Sequence, residues 1–146
     1  MYGAKPQGSY FGLSAAYDER LGAGTFAEYD FVKHSGGELV VGTAGANVYG
    51  VAEEAGTAAG TGLKVNVTPF LVVLMDNDND STTFAASHVG TMFDFTGATG
   101  VMQVDTSTTS TSGQLYCLEY NPQGYEMDND TSIGLFMVRE SELAQI

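Results

Sequence analysis

The chain has 146 residues and a formal net charge of −13, with seven acids and four bases in residues 1–73 but eleven acids and one base, Arg139, in residues 74–146. A surface of that sign repels phosphate backbones, which argues against direct nucleic-acid binding and favours cations or a basic protein partner. Hydrophobic residues make up 43%, enough for one domain with a real core, while the longest apolar run, Phe70 to Met75, is too short to span a bilayer.

Residues 1–24, MYGAKPQGSYFGLSAAYDERLGAG, form an N-terminal arm. Gly, Ala and Ser dominate, yet Tyr2, Tyr10, Phe11, Leu13, Tyr17 and Leu21 are too many large apolar groups for a purely solvated tail. The arm either wraps on its own domain or orders against a neighbouring subunit. A short helix around Ser14 to Leu21, with Ser14 as its cap, is the one helical element the pattern allows. No basic region followed by an apolar run opens the chain, so no signal peptide is expected.

Residues 25–140 read as a β domain, and 141–146 as a short C-terminal tail. Thr25 to Lys33 is the first expected strand, on its aromatic and β-branched content. Glu38 to Val41 and Asn47 to Ala52 follow, separated by Gly-rich turns. Leu63, Val65 and Val67 alternate with Lys64, Asn66 and Thr68, the period of a half-buried strand. Pro69 cannot donate to a sheet ladder, so it breaks or bends the run. Phe70 to Met75 shows no alternation, which means both faces are covered. Left exposed, that window would aggregate, so Phe70 and Leu71 join Tyr2, Tyr10, Phe11, Leu13 and Tyr17 as candidate interface residues.

Asp76, Asp78 and Asp80 alternate in DNDND, like the opening of an EF-hand loop. The sixth position is Ser81 rather than Gly and the twelfth is Ser87 rather than Glu. An acidic turn built on Asn and Asp explains the run more simply. The alternative is a cation site for Ca²⁺ or Na⁺, with Asp128 and Asp130 close by. Beyond it, His88 to Phe95 and Val101 to Thr106 pair as a hairpin, and Thr106 to Gly113 is a polar surface loop. Leu115 to Tyr120 is a strand with Tyr116, Leu118 and Tyr120 on one face, and Ile133 to Arg139 is the last.

No catalytic grouping is expected. His34 and His88 lack metal-ligand spacing with each other or with Cys117, and His88 reads as a packing or interface residue. There is no nucleophile elbow and no phosphate-binding glycine loop. Glu53-Glu54 sits in a Gly- and Ala-rich loop, where paired acids are usually solvated. Cys117 reads as a buried structural thiol. The expectation is a non-enzyme without a resident cofactor, on a small single-domain β-barrel or β-tulip-like fold with an extended N-terminal arm.

Two stretches resemble a known family. ELVVGTAGANVYGVAEEAGTAAGTGLKVNV resembles the small β domains of tailed-bacteriophage capsid decoration, or cement, proteins: a Gly-rich hairpin, then a YGVA-E-A strand and a following Val-rich strand. HVGTMFDFTGATGVMQVDTSTTSTSGQLYCLEYNP is similar to such virion proteins in its VG-x-x-x-D, GV-x-x-VDTS and Asn-Pro elements. The resemblance spans roughly residues 30–138; residues 1–24 and the DNDND run have no counterpart. It implies a structural protein on the outer surface of the virion that binds the major capsid protein and stabilises the head, commonly as a homotrimer. It carries over no catalytic residues. A different class is a fibre, carbohydrate-binding or other host-binding β module, which the Tyr-rich strands and acidic loops would suit. A decoration protein would co-purify with capsids, whereas an adhesin would bind its ligand in isolation.

Overall fold

Gly-rich turns cut the chain into short strands that build two β layers. The computed structural model describes residues 2–56, 59–78, 82–108, 113–122 and 133–139. In chain order the strands are β1 (Lys5–Ser9), β2 (Tyr17–Gly22), β3 (Phe31–Ser35), β4 (Glu38–Val41), β5 (Gly50–Ala52), β6 (Thr61–Asn66), β7 (Leu71–Asp76), β8 (Met92–Phe93), β9 (Phe95–Thr96), β10 (Gln103–Val104), β11 (Leu115–Tyr120) and β12 (Ile133–Val138). Helix among the described residues is limited to two 3-10 turns, Ala86–His88 and Thr106–Thr108. The all-β expectation holds.

Strands β2-β4-β3-β5-β6 close into a small barrel, and β1-β7-β12-β11-β8 form a five-stranded sheet. β9 and β10 pair separately, Phe95 opposite Val104, which is the expected hairpin in shortened form. The barrel closes where β2 meets β4 in parallel, with Gly22 opposite Leu39. A Cβ at Gly22 would lie 2.6 Å from the Phe26 ring, so glycine there lets that ring fill the barrel end.

Each layer has its own core. Phe26, Val32, Leu39, Tyr49, Ala52, Leu63 and Val65 fill the barrel. The sheet core holds five phenylalanines, Phe31, Phe84, Phe93, Phe95 and Phe136, with Val51, Val73, Met75, Leu115 and Cys117 among their neighbours. β3 and β5 belong to both: Phe31 and Val51 face the sheet core, and their neighbours Val32 and Ala52 face the barrel core. Successive residues of a strand point to opposite faces, so where the wall is shared, at Phe31-Val32 and Val51-Ala52, both neighbouring positions are apolar.

The N-terminal 24 residues are built into these layers. β1 pairs with β7 along one sheet edge. β2 pairs with β6 over six positions, from Tyr17 opposite Asn66 to Gly22 opposite Thr61. The expected helix at Ser14 to Leu21 is therefore strand from Tyr17 onward, because the ladder to β6 satisfies backbone groups that a lone helical turn would leave open. The unbroken apolar run is buried on both faces: Val73, Leu74, Met75 and Asp76 of β7, which alternate sides of the sheet, are all buried.

Several expected strands are shorter than their sequence pattern. Phe26 makes only an isolated bridge to Gly56, and β3 starts at Phe31 because residues 27–30 turn. Tyr29 there has φ 71°, and Asp30, fully buried, accepts hydrogen bonds from the Ala27 and Gly100 amides, both 2.9 Å. His88 to Phe95 breaks at Gly90, whose φ is 85°, leaving the 3-10 turn, β8 and β9. Thr106, placed at the head of a surface loop, is buried. Gln114, also buried, ties the layers together: its Nε2 donates to Thr43 O at 3.0 Å and Ala46 O at 2.5 Å, and its Oε1 accepts from the Phe95 amide at 3.3 Å.

Candidate interaction surface

Tyr10 and Phe11 follow β1, and Phe70 lies in the turn between β6 and β7. The β1–β7 pairing carries them to one corner, where the Tyr10 amide donates to Phe70 O at 2.9 Å. Their rings meet edge to face, with centroids 5.0 Å apart for Tyr10–Phe11 and 4.9 Å for Phe11–Phe70. Such contacts contribute roughly 0.5–1.5 kcal/mol each. The cluster still faces solvent: Tyr10 is 53% exposed, Phe11 63% and Phe70 50%.

Phe70 is held at φ 53°. Pro69 before it suits the first corner of a turn, but a left-handed second corner ordinarily takes Gly or Asn. A bulky residue there costs on the order of 1–3 kcal/mol, and such strain clusters at functional positions. The strained backbone displays an aromatic ring at the surface.

Beside this cluster a cleft of ≈ 250 Å³ opens between barrel and sheet, with Val67, Pro69, Phe70, Leu71, Val138 and Arg139 in its walls. Its polar floor is internally satisfied. Thr68 Oγ1 donates to Asn66 Oδ1 at 2.6 Å, Asn66 Nδ2 donates to Glu53 at 2.9 Å, and the Ala16 amide donates to Thr68 Oγ1 at 3.0 Å. This network anchors the end of the 10–16 loop to the seam.

The remaining candidate interface residues are dispersed. Leu71 is 4% exposed and belongs to the sheet core. Tyr2 is exposed near the β9–β10 hairpin, where the Gly3 amide donates to Met102 O at 2.9 Å. Leu13 is exposed on the 10–16 loop. Tyr17 lies on β2, with Lys64 Nζ 4.7 Å from its ring centroid. Sequence reading missed Val67, Val138 and Arg139, because the cleft forms only where β5, β6, β7 and β12 come together.

The acidic candidates divide. Asp76 ends β7, fully buried and opposite Ile133. Asp78 Oδ1 accepts from the Thr106 amide at 3.2 Å and from Thr106 Oγ1 at 2.8 Å. Asp80, Asp128 and Asp130 lie outside the described residues. Among the described residues no group of three or more His, Cys, Asp or Glu is arranged to hold a metal ion. Glu53 and Glu54 act separately, Glu53 on Asn66 and Glu54 on the Lys64 amide at 2.9 Å.

His88 Nδ1 accepts from the Ala85 amide at 3.0 Å, and its ring stacks on Phe84 with a 3° interplanar angle. His34 lies edge-on to Tyr49, 4.3 Å between centroids. Burial pushes the Cys117 thiol up to about 12, so at neutral pH it is a protonated, unreactive group. On the barrel, Asp18 Oδ2 accepts from Tyr49 Oη at 2.5 Å and from Arg20 Nε at 2.7 Å. Those two bonds hold its carboxyl below the usual carboxylate value, and burial with the Asp18 bond raises the Tyr49 phenol. Among the described residues, no helix is long and apolar enough to cross a membrane. Comparison with protein-family models, curated proteins and solved structures gave no match.

Proposed function

We propose that this chain is a structural virion protein that binds the outer surface of a capsid lattice through the Tyr10–Phe11–Phe70 corner and stabilises the head. The observation that carries the reading is a solvent-facing aromatic cluster held up by a strained turn on a small acidic β domain. Aromatic side chains supply large contact area at low entropic cost. Repetition of a modest patch over a lattice gives avidity without a deep pocket. The strongly acidic remainder of the surface would keep particles apart. The homotrimer and the major capsid protein as partner belong to this proposal and rest on the sequence resemblance.

A host- or sugar-binding module is the second reading, favoured by the same exposed rings beside a cleft. Mass-spectrometric inventory of purified virions, with co-sedimentation of wild type and a Phe11→Ser/Phe70→Asn variant with capsids, separates the two. Presence on the particle and loss of occupancy in the variant support decoration. Absence from particles together with glycan-array binding would replace it.

A further inference from the structure

We infer that the polar pocket between β1 and the barrel, lined by Lys5, Tyr17, Tyr29, Glu53, Asn66 and Thr68, binds one uncharged pyranose sugar.

The floor of the pocket orients a carboxylate. Asn66 and Thr68 are buried, 4% and 5% exposed. Asn66 Oδ1 accepts from the Thr68 amide at 3.1 Å and from Thr68 Oγ1 at 2.6 Å. That turns Asn66 Nδ2 toward Glu53, where it donates to Oε1 at 2.9 Å. A carboxylate offers about four acceptor sites, and this is the one hydrogen bond on the Glu53 side chain among the described residues. Lys5 Nζ has neither a hydrogen bond nor an ion pair among the described residues.

Two tyrosines supply the walls. Tyr29 stands at φ 71°, a conformation that strains a bulky residue. Its backbone is pinned on both sides: its amide donates to Ala52 O at 2.7 Å and its carbonyl accepts from the Ala4 amide at 2.8 Å. Such strain clusters at ligand clamps. Burial, with Glu28 and Glu53 nearby, raises the Tyr29 phenol, so it is an uncharged donor at neutral pH. Tyr17 is half exposed, with Lys64 Nζ 4.7 Å from its ring centroid.

Charge and size then choose the ligand. A free anion meets Glu53 and a chain of net charge −13. A cation meets Lys5. A purely apolar group would leave the Glu53 carboxylate and the Lys5 ammonium desolvated without partners. A neutral sugar satisfies all three conditions, because its hydroxyls donate to Glu53 and accept from Lys5 while its C–H face lies on the negative face of a tyrosine ring. At ≈ 280 Å³ the pocket lies just under the roughly 300–1,000 Å³ of drug-sized sites, which suits one ring rather than a chain of them. The inference gives the sugar-binding reading a site away from the Tyr10–Phe11–Phe70 corner and does not depend on the capsid reading.

The test titrates full-length, ¹⁵N-labelled protein with the methyl glycosides of glucose, galactose, mannose and N-acetylglucosamine, with choline and glucuronate as charged controls. We expect saturable shifts at the amides of Gln7, Gly8, Glu53 and Thr68 with at least one glycoside, and none with either control. Glu53→Gln, which keeps an oxygen for Asn66, should weaken that binding about ten-fold, the difference between a charged and a neutral acceptor. Tyr17→Thr, at a half-exposed strand position, should weaken it several-fold, and it carries the test alone if Glu53→Gln does not fold. No saturable shift with any glycoside, or unchanged affinity in the folded variants, would overturn the proposal. Choline shifting the same amides would make the pocket a cation site and overturn it. Glycoside shifts confined to Tyr10, Phe11 and Phe70 would move sugar contact to the aromatic corner and overturn it too. Both variants leave that corner intact, so failure here leaves the capsid reading standing.

Discussion

The barrel fills its interior mostly with medium and small side chains, Val32, Leu39, Ala52, Leu63 and Val65, whereas the sheet packs five phenylalanine rings behind β7, β11 and β12. The layers also treat their edges differently. A closed barrel has no edge strand, and β2 supplies its closure. The sheet keeps two edges. One is β8, only two residues long, and the other is β1, which carries Lys5, Pro6 and a register shift before Gly8. Short length, lysine, proline and a bulge all discourage pairing with another chain. Both layers thus depend on the N-terminal 24 residues, one for closure and the other for cover of β7.

The largest expected effect comes from removing that shared dependence. Deleting residues 2–22 should open the barrel and bare the β7 edge, giving a chain that aggregates or loses its cooperative thermal transition. A truncated protein that melts like wild type would show the segment to be a dispensable arm. Next, Phe93→Ala in the sheet core should cost about 3–5 kcal/mol and Leu63→Ala in the barrel about 2–5 kcal/mol. Chemical denaturation of both tests whether the aromatic layer dominates stability; a larger loss for Leu63→Ala would reverse the ranking.

Gln114→Ala should cost about 1–3 kcal/mol, since it strands the Thr43 and Ala46 carbonyls and the Phe95 amide at the junction of the layers. A transition that splits into two steps would show that this residue couples the layers. Phe70→Asn should shift stability by less than about 1 kcal/mol, because relief of roughly 1–3 kcal/mol of backbone strain offsets the lost ring contact. A large loss would mean that Phe70 is a structural residue, not a displayed one.

The smallest effect concerns the outer face of the barrel. The Tyr49 and Arg20 bonds lower the Asp18 pKa below 3.8. Its contribution is therefore complete above about 3.8, the value in the unfolded chain, and is lost as pH falls from there through the folded value. Melting temperature should drop more steeply in that acid window for wild type than for Asp18→Asn, and parallel curves would remove Asp18 from the acid response. Side-chain exposure near a third keeps this effect modest.

Much of the β content was legible in the chain. Leu63 and Val65 alternate with Lys64 because one strand face meets the barrel core and the other meets water. Pro69 separates β6 from β7 because it has no amide to give a ladder. The unbroken run through Met75 signalled cover on both faces, since a buried strand has no solvent side to mark with polar residues. Other features were not legible. Tyr17 to Gly22 carries no strand period, and only the six-position ladder to β6 makes it one. Nothing local says that Phe31 and Val32 serve different cores, or that Arg139 and Val67 line the same cleft. The Tyr10–Phe11–Phe70 corner needed the β1–β7 pairing, which joins residues about sixty positions apart. Periodicity reports what each strand face touches; which distant strand it touches is decided by packing across the whole chain, and that is where the cleft and the aromatic corner arise.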